Sequence, residues 1–389
     1  MAAGQPSAAG PSRGPAPGRG TGLRTIRLCL LGFGSVAREL CALLARQERT
    51  LAEDHGLCVL VSAAGTRHGS LLAPQGMKPA DVLAGAVSHS GSAPGAVAPR
   101  LPEPPRGAPD LMAASGADML VELTVMEDDF APIATGHVET AFALRMDVVT
   151  ANKGPIAWNW GRVKAAADAA GRRIRFESTV MDGLPVFSLL ESALPDCTLL
   201  GFEAVFNATT NFIIDAMGAG QTFADALAQV QAQGYAEADP AHDIDGWDAA
   251  CKAAALANVA MDAGITPAEI EKESLADVPL ERIRQARADG KRLRLVTSVW
   301  RETPDGVAPG AGPTASDAGP APPAGRVRGR VRATELDIDD PLAPVGAESL
   351  GAILHTDLMG DIFVCEINGL VPQTAYGVYA DLLQLCRNR

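Results

Sequence analysis

Hydrophobic residues in the first part of the chain alternate between short continuous runs and longer stretches with helical spacing. Continuous apolar runs at residues 26–31, 57–61 and 119–123 predict buried strands, because runs of about four to eight apolar residues suit strands covered on both faces. Helical spacing at 36–44 and 133–144 predicts helices between these strands. The pattern also predicts a helix at 110–115 and a strand at 147–149. Strands that alternate with helices are typical of βαβ units, so we expect an α/β fold with a mostly parallel sheet.

The pattern changes from about residue 174 onward. Longer apolar strands stand among helices here, without the regular alternation of the first part. The predicted strands are 197–206, 293–300, 353–356 and 362–366, and the predicted helices are 223–233, 247–261 and 280–288. This arrangement predicts an α+β second domain whose sheet is more open than the first.

Three stretches rich in Gly, Pro and Ala are almost free of the large apolar residues that a core requires. Residues 1–24 contain no acid and predict a disordered tail. An organellar targeting peptide is the alternative for this stretch, but it lacks amphipathic periodicity and an apolar central segment. Residues 85–109 and 303–325 predict surface insertions, and the second is expected to be flexible and to mark a boundary.

Composition limits the partners that the chain can bind. The 389 residues carry 33 Lys and Arg against 46 Asp and Glu, a formal net charge of −13, which argues against nonspecific binding to nucleic acid or to an anionic membrane. No apolar run reaches the roughly 18 residues that span a bilayer. The seven cysteines include no Cys-x-x-Cys pair, which favours a reducing compartment. We therefore expect a cytoplasmic protein with a small-molecule substrate.

A glycine-rich loop follows the first predicted strand and opens the first predicted helix. Its form is Gly-x-Gly-x-x-Ala, in which the first glycine permits a tight turn, the second lets backbone N–H groups reach a pyrophosphate, and the alanine lets helix and strand pack closely. A purely structural glycine turn is the alternative, but strand, loop and helix all fall in register. The loop therefore predicts a Rossmann-type NAD(P)-binding domain at 25–173. The predicted cofactor-binding residues of the loop are Gly32, Phe33, Gly34, Ser35 and Val36.

The end of the second predicted strand bears on the choice of cofactor. A carboxylate there would bind a ribose 2′-hydroxyl and disfavour a 2′-phosphate. Residues 62–68 contain no carboxylate, whereas Arg67 offers a guanidinium that suits a phosphate. A solvated loop cation is the alternative role for Arg67. The sequence thus favours NADP, with NAD as the second choice.

An acidic segment at 234–252 is the most informative part of the chain about chemistry. Five acids crowd a loop that Gly and Pro interrupt, and a helix follows this loop. Asp248 and Lys252 are four residues apart and therefore share one face of that helix. A solvated ion pair is the simpler interpretation, but the helix continues as the apolar run 253–257. An ion pair at the start of a buried helix is costly, which favours a functional task for it.

The same segment resembles the signature of the homoserine dehydrogenase family, which runs from Ala-Glu-x-Asp-Pro through Asp-x-x-Gly-x-Asp to a Lys on the following helix. Residues 236–240, residues 243–248 and Lys252 supply these positions in that order. Other segments also resemble the family in the expected order, and the resemblance covers most of residues 25–389. These segments are Thr-Ala-Asn-Lys at 150–153, Glu-Ser-Thr-Val at 177–180, Asn-Ala-Thr-Thr-Asn at 207–211, Asp-Pro-Leu-Ala at 340–343 and Thr-Ala at 374–375.

The resemblance implies a domain organisation and a reaction. It implies a catalytic and dimerisation domain at 174–389, a homodimer, and a C-terminal helix at about 372–387 that packs back on the Rossmann-type domain. The implied reaction is reversible hydride transfer between NAD(P)H and the aldehyde carbon of L-aspartate 4-semialdehyde. Its product is L-homoserine, on the route to threonine and methionine.

The resemblance also implies roles for five residues near the reacting carbon. Hydride that arrives at an aldehyde builds an alkoxide, so a cationic proton donor must lie close to it. Lys252 matches the family's proton donor, and Asp248, one helical turn away, would orient it or a bridging water. Glu237 matches the family's substrate-binding glutamate, and Asp243 is a second acid for the substrate ammonium. Lys153 matches a lysine near both cofactor and substrate.

Two further sites are expected from the resemblance. Thr124 follows the predicted strand at 119–123, where a cofactor contact belongs. Members of the family can also bind a monovalent cation through backbone carbonyls, the kind of ligand that hard cations prefer. The matching positions for such a cation, such as Na⁺, are Glu177, Val180, Asp182 and Leu184.

The chain departs from the family pattern at several positions. Met181-Asp182 replaces small residues, and Ala208 stands where a glycine is common. The family's Gly-Ala-Gly near the C-terminus, which approaches the nicotinamide, is replaced by Ile-Asn-Gly-Leu-Val-Pro at 367–372. These departures indicate a divergent branch and put the substrate in question more than the hydride chemistry.

Two alternatives to homoserine dehydrogenase activity therefore stay open. One is an oxidoreductase that acts on another amino-acid semialdehyde or hydroxy acid, and the other is a non-catalytic sensor that binds NADP. The retained lysine and acids of the segment 234–252 argue against the sensor. The sequence shows no aspartate-kinase segment before residue 25 and no regulatory segment after Arg389, so we expect little feedback inhibition by threonine.

Overall fold

Two six-stranded sheets carry the fold of the computed structural model. The structure describes residues 22–87, 101–127, 130–232, 240–302, 325–347 and 349–387. Nearly all of the predicted tail at 1–24, nearly all of the predicted insertion at 303–325 and the middle of the one at 85–109 lie outside these ranges. Across the described ranges, no helix has the length and apolar character needed to cross a membrane.

The first sheet has the strand order β3-β2-β1-β4-β5-β6. All neighbouring strands run parallel except β2 and β3, which form an antiparallel hairpin. The strands are β1 (Arg24–Leu31), β2 (Leu57–Thr66), β3 (Gly69–Met77), β4 (Met119–Glu122), β5 (Asp147–Thr150) and β6 (Ile174–Arg175). The helices are α1 (Ser35–Arg46), α2 (Glu48–His55), α3 (Pro79–Val87), α4 (Ala108–Ser115), α5 (Pro132–Ala143) and α6 (Gly154–Ala170). The prediction of an N-terminal Rossmann-type parallel sheet is confirmed.

The sequence prediction missed several elements of this domain. Strand β2 extends five residues past the predicted run, because small residues at 62–66 hide the strand pattern while still pairing with β1 and β3. Helix α6 was not predicted, and Asn159 interrupts it with a non-helical φ of −133°. Leu101 lies in the stretch expected to be a surface insertion, yet it is buried in the core of the first domain.

The second sheet has the order β12-β11-β7-β9-β10-β8 and is antiparallel except where β8 meets β10. The strands are β7 (Leu199–Val205), β8 (Glu271–Lys272), β9 (Lys291–Arg301), β10 (Val327–Asp337), β11 (Leu350–Thr356) and β12 (Gly360–Glu366). The helices are α7 (Val186–Ser188), α8 (Ala208–Gly218), α9 (Phe223–Ala232), α10 (Ala241–Ile244), α11 (Trp247–Ala260), α12 (Leu280–Ala288) and α13 (Val371–Arg387). This sheet with its helices confirms the predicted α+β second domain. Strand β10 was not predicted, although its buried residues alternate with polar ones as in a half-buried strand.

Two helices tie the sheets together. Helix α13 packs on α1, and its Val378 and Leu382 share a hydrophobic core with Leu40. Helix α6 packs on α11, where Asn258 Nδ2 donates hydrogen bonds to the backbone carbonyls of Ile156 and Ala157 at 3.2 and 3.3 Å. Because β6 still pairs with β5 in the first sheet, we propose a domain boundary after Arg175 instead of the one expected at residue 173.

Candidate active site

The glycine loop after β1 forms a cradle that a side chain would fill. Gly32 has a φ of +86°, and a Cβ built there would lie 2.3 Å from the carbonyl oxygen of Leu123 and 2.6 Å from the amide nitrogen of Thr124. Only glycine avoids this overlap. Gly34 is the N-cap of the 12-residue helix α1, with no side-chain cap and open space around its Cα. The first N–H groups of α1 are therefore available to an anionic group such as a pyrophosphate.

The other predicted loop residues differ in how they can contact a cofactor. Phe33 is buried beneath the loop, so only its backbone is available on the outer side. Ser35 is exposed and Val36 is half-buried at the start of α1. The residues present thus fit a bound dinucleotide through backbone N–H groups.

Arg67 lies in the turn between β2 and β3, at the same edge of the sheet as the glycine loop. The amide of Gly32 donates a 2.9 Å hydrogen bond to the carbonyl of Gly65, which fixes this edge two residues before Arg67. The Arg67 side chain is exposed, and the edge of β2 carries no acid. The cofactor contact expected of Arg67 stays a prediction.

A polar network lies just after β4, at the carboxyl edge of the first sheet. We call this edge the cofactor edge because the glycine loop lies on it. Glu122 accepts hydrogen bonds from the Thr124 amide at 2.9 Å and from the Thr124 hydroxyl. Asn152 Nδ2 donates to the carbonyl of Thr124 at 3.1 Å, and Asn152 Oδ1 accepts from the amide of Gly154 at 2.9 Å. The network connects the cofactor edge to the first turn of α6, where Lys153 is the N-cap.

Lys153, Asp248 and Lys252 form a compact charged cluster where α6 meets α11. Asp248 Oδ1 lies 3.0 Å from Lys153 Nζ, and Asp248 Oδ2 lies 3.0 Å from Lys252 Nζ. Lys252 Nζ also donates to the carbonyl of Phe206 at 2.7 Å, at the end of β7. One carboxylate thus holds two ammonium groups that come from different domains.

Asn207 is a member of this cluster whose role the sequence did not indicate. Its Nδ2 donates to Asp243 Oδ1 at 2.7 Å and to Asp248 Oδ2 at 3.0 Å, while its Oδ1 accepts from the amide of Thr210 as the N-cap of α8. Asn207 therefore joins Asp243 of α10 to Asp248 at the start of α11. The signal that could have found it is the asparagine between a buried strand and a helix, a typical capping position.

Charge and burial set the protonation of the cluster. Burial alone would raise the pKa of Asp248, but the ammonium groups of Lys153 and Lys252 outweigh it and hold that pKa well below its usual range. Burial lowers the pKa of Lys153, but Asp248 reverses this and leaves the pKa raised. Burial and the charge of Asp248 raise the pKa of Asp243. At neutral pH the centre of the cluster is therefore an ionised carboxylate with a protonated Lys153.

Glu237, the predicted substrate-binding glutamate, lies outside the described residues, which resume at Pro240. Its position relative to the cluster stays a prediction. Asp243, the second predicted acid, lies on α10 and meets the cluster through Asn207.

The predicted cation ligands lie together in the turn between β6 and α7. The carboxylate of Glu177 is already used by the amides of Phe187 and Ser188, at 2.7 and 2.9 Å. The carbonyl of Leu184 accepts a hydrogen bond from the amide of Val186. Among the described residues, no group of three or more His, Cys, Asp and Glu side chains is placed to hold a metal ion. Cation binding through the backbone carbonyls stays a prediction.

Two departures from the family pattern meet in space. A Cβ built on Gly369 would lie 2.8 Å from Asp182 Oδ2 and 3.0 Å from Glu366 Oε2, so the two carboxyl groups converge on this glycine. Burial and the neighbouring Asp182 raise the pKa of Glu366 to about 7. Asp182 Oδ1 also accepts a 3.1 Å hydrogen bond from the Thr374 hydroxyl of α13. The sequence analysis did not predict the acidic pair of Asp182 and Glu366, because the two residues are far apart in the chain.

A glycine cradle at the carboxyl edge of a parallel sheet, continuous with a lysine–carboxylate cluster, defines a nucleotide-dependent oxidoreductase. Comparisons with known proteins identify which kind. A family model described as homoserine dehydrogenase matches residues 185–383. An NAD(+)-dependent homoserine dehydrogenase of Pseudomonas canavaninivorans is 30% identical over 362 residues, which are 92% of this chain and 96% of that protein. The chain belongs to the homoserine dehydrogenase family, and the resemblance found in its sequence is confirmed.

Solved structures agree with this assignment. A homoserine dehydrogenase from Thiobacillus denitrificans superposes with a TM-score of 0.75 at 26% identity, over 94% of this chain and 74% of that one. A hyperthermophilic archaeal homoserine dehydrogenase in complex with NADPH has the same fold, with a TM-score of 0.74 at 24% identity over 94% of this chain and 99% of that one.

Proposed function

We propose that the chain is a homoserine dehydrogenase that transfers a hydride reversibly between L-homoserine and NAD(P), with L-aspartate 4-semialdehyde as the oxidised product. The observation that carries this proposal is the Lys153–Asp248–Lys252 cluster. The cluster is adjacent to the cofactor edge, because Asn152, which directly precedes Lys153, donates a hydrogen bond to the carbonyl of Thr124. A bound nicotinamide coenzyme supplies the hydride acceptor or donor. The residues of the chain supply the binding groups, the charge and the proton.

Lys252 is the proposed proton carrier. When homoserine is oxidised, its hydroxyl proton passes to the neutral Lys252 amine, and in the reverse direction the Lys252 ammonium protonates the alkoxide. The carboxylate of Asp248 and the carbonyl of Phe206 both hold Lys252 Nζ, which fixes its direction while it changes protonation. General acid–base catalysis of this kind contributes about 10²–10⁴-fold to the rate.

Lys153 is the proposed electrostatic group at the developing alkoxide. Asp248 raises its pKa, so Lys153 keeps its proton and can oppose negative charge on the substrate oxygen. The two lysines thus have different proposed roles: Lys252 transfers the proton, whereas Lys153 stays charged.

Asp243 and Glu237 are the proposed partners of the substrate ammonium. Burial and the nearby negative charge of Asp248 raise the pKa of the Asp243 carboxyl. An arriving ammonium relieves this repulsion and forms charge-assisted hydrogen bonds. In the proposed complex, the substrate ammonium therefore offsets the negative charge of these carboxylates.

NADP is the proposed preferred cofactor, since Arg67 stands at the end of β2 without an acid beside it. The Pseudomonas relative is named as NAD(+)-dependent, so NAD is the second candidate. A homodimer in the cytoplasm is also proposed. Support for the dimer comes from apolar side chains left exposed on and beside β12, namely Leu358, Met359 and Phe363.

A second candidate function is oxidation of a different amino-acid alcohol. The observation that favours it is the acidic pair of Asp182 and Glu366, which meets where the family pattern has small residues. Reduction of NADP⁺ and of NAD⁺ at alkaline pH distinguishes the two candidates, with L-homoserine compared against a panel of hydroxy amino acids. The proposal expects homoserine to have the highest kcat/KM, and a better substrate in the panel would favour the second candidate.

A further inference from the structure

Glu122 is a buried carboxylate at the end of β4 that the proposed mechanism does not use. Its side chain is fully buried, and burial of a carboxylate is costly unless its oxygens are all hydrogen-bonded. Oε1 accepts from the amide and the hydroxyl of Thr124. Oε2 lies 2.8 Å from His137 Nδ1 on α5, and since a carboxylate only accepts, this nitrogen carries the hydrogen. Both oxygens of Glu122 therefore have hydrogen-bond partners, one in Thr124 and the other in His137.

The hydrogen bond from Thr124 to Glu122 fixes the polarity of the threonine hydroxyl. A hydroxyl has one proton, and here that proton is committed to the carboxylate. The oxygen of the hydroxyl accepts from Asn152 Nδ2 at 3.3 Å and has a further lone pair. A ligand that approaches half-buried Thr124 from the cradle therefore meets a hydrogen-bond acceptor.

The position of Thr124 relative to the glycine loop is also set here. The Thr124 amide nitrogen, which donates to Glu122, is one of the atoms that a Cβ on Gly32 would overlap. A shift of this amide would change the shape of the cradle. The hydrogen-bond donors of a nicotinamide coenzyme include its ribose hydroxyls and its carboxamide N–H groups.

We propose that Glu122 is a positioning residue that holds Thr124 as a hydrogen-bond acceptor for the O–H or N–H donors of the bound coenzyme. The proposal rests on the proposed function only in taking NAD(P) as the ligand. It predicts that Glu122 acts on nucleotide affinity through Thr124, and that the two residues are energetically coupled.

The test measures dissociation constants of NADPH and NADH by fluorescence, without homoserine, together with kcat and the cofactor KM. Thr124→Val and Glu122→Met are each expected to weaken nucleotide binding about three- to tenfold. The double variant is expected to bind no more weakly than Glu122→Met alone. Glu122→Gln keeps an acceptor oxygen for Thr124, so this variant is expected to keep most of the nucleotide affinity that Glu122→Met loses.

Ser62→Ala is the matched control, because Ser62 is a buried residue of the same sheet whose hydroxyl donates to the backbone carbonyl of Leu28 at 3.3 Å. Its nucleotide affinity should equal that of the parent. Additive losses in the double variant, or parent-like affinity with only a lower melting temperature, would overturn the proposal. If Glu122→Met does not fold, Thr124→Val decides, since unchanged nucleotide affinity in that variant overturns it too. A parent protein that binds NADPH but does not oxidise homoserine would refute the proposed function. The role of Glu122 could still be tested, because the nucleotide dissociation constants are measured without homoserine.

Discussion

Asp248 and Lys153 form a 3.0 Å ion pair across the two domains, from the start of α11 to the start of α6. Through this pair, the Lys153 ammonium of the nucleotide domain contacts the Asp248 carboxylate of the catalytic domain. The pair is also the reason that Lys153 has a raised pKa despite its burial. The contact therefore couples the geometry of the domain junction to the electrostatics of the reaction.

Asp248→Asn should move the pH dependence of turnover. Without the carboxylate, burial lowers the pKa of Lys153, so Lys153 loses its proton as pH rises through a lower value. The alkaline limb of the pH profile of kcat should move down by about one to three pH units, the range typical of a lost neighbouring charge. Asp168→Asn, which removes an exposed ion pair from α6, is the control and should leave the profile unchanged. An unshifted alkaline limb in Asp248→Asn would refute the role of Lys153 as a charged stabiliser.

Gly32→Ala should disrupt cofactor binding. The new methyl group would overlap the Leu123 carbonyl at 2.3 Å, at a φ that L side chains rarely adopt. Backbone strain of about 1–3 kcal/mol corresponds to roughly 5- to 150-fold weaker NADPH binding. Gly161→Ala is the control, since nothing lies within 4 Å of the added methyl group. Equal NADPH affinity in the two variants would mean that the glycine loop does not hold the cofactor.

Arg67→Ala should weaken NADP binding and barely change NAD binding. A lost charge-assisted contact of about 1.5–3 kcal/mol corresponds to roughly a 10- to 150-fold effect. Steady-state kinetics with both cofactors, on parent and variant, measure this directly. The opposite result is that Arg67 lies across the 2′-phosphate site and blocks productive binding. NADP efficiency that is unchanged or higher in the variant would therefore remove the main support for NADP.

Glu237→Gln should raise the KM for homoserine and leave the cofactor KM unchanged. The variant loses a charge-assisted hydrogen bond to the substrate ammonium, worth about 1.5–3 kcal/mol. Measurement of both KM values at saturating levels of the other substrate separates the two effects. An unchanged KM for homoserine would show that the ammonium binds elsewhere, with Asp243 as the next candidate to substitute.

Patterns local in sequence predicted most of the fold. Buried strands such as β1 and β4 follow from continuous apolar runs, and the cradle follows from Gly32, whose positive φ and close contacts only glycine tolerates. The β2–β3 hairpin was not predictable in this way. Its small residues carry little side-chain signal, so their strand conformation depends on pairing with β1.

The candidate site was predictable only in part, for a similar physical reason. Asp248 and Lys252 share one helix face, so their spacing alone indicated the pair. Lys153 reaches Asp248 only after α6 packs on α11, and Asn207 reaches it from the turn between β7 and α8. Periodicity specifies neither contact. The acidic pair of Asp182 and Glu366 likewise depends on the return of the last sheet strand toward the turn after β6.

In the proposed mechanism Lys252 carries the proton of the reaction, and the Lys252→Ala variant removes that group. The measurement is kcat for homoserine oxidation together with the dissociation constant of NADPH, with Lys164→Ala on the exposed surface of α6 as control. We expect kcat to fall about 10²–10⁴-fold, NADPH affinity to stay close to that of the parent, and the control to match the parent in both. Turnover of Lys252→Ala within threefold of the parent enzyme would contradict this role.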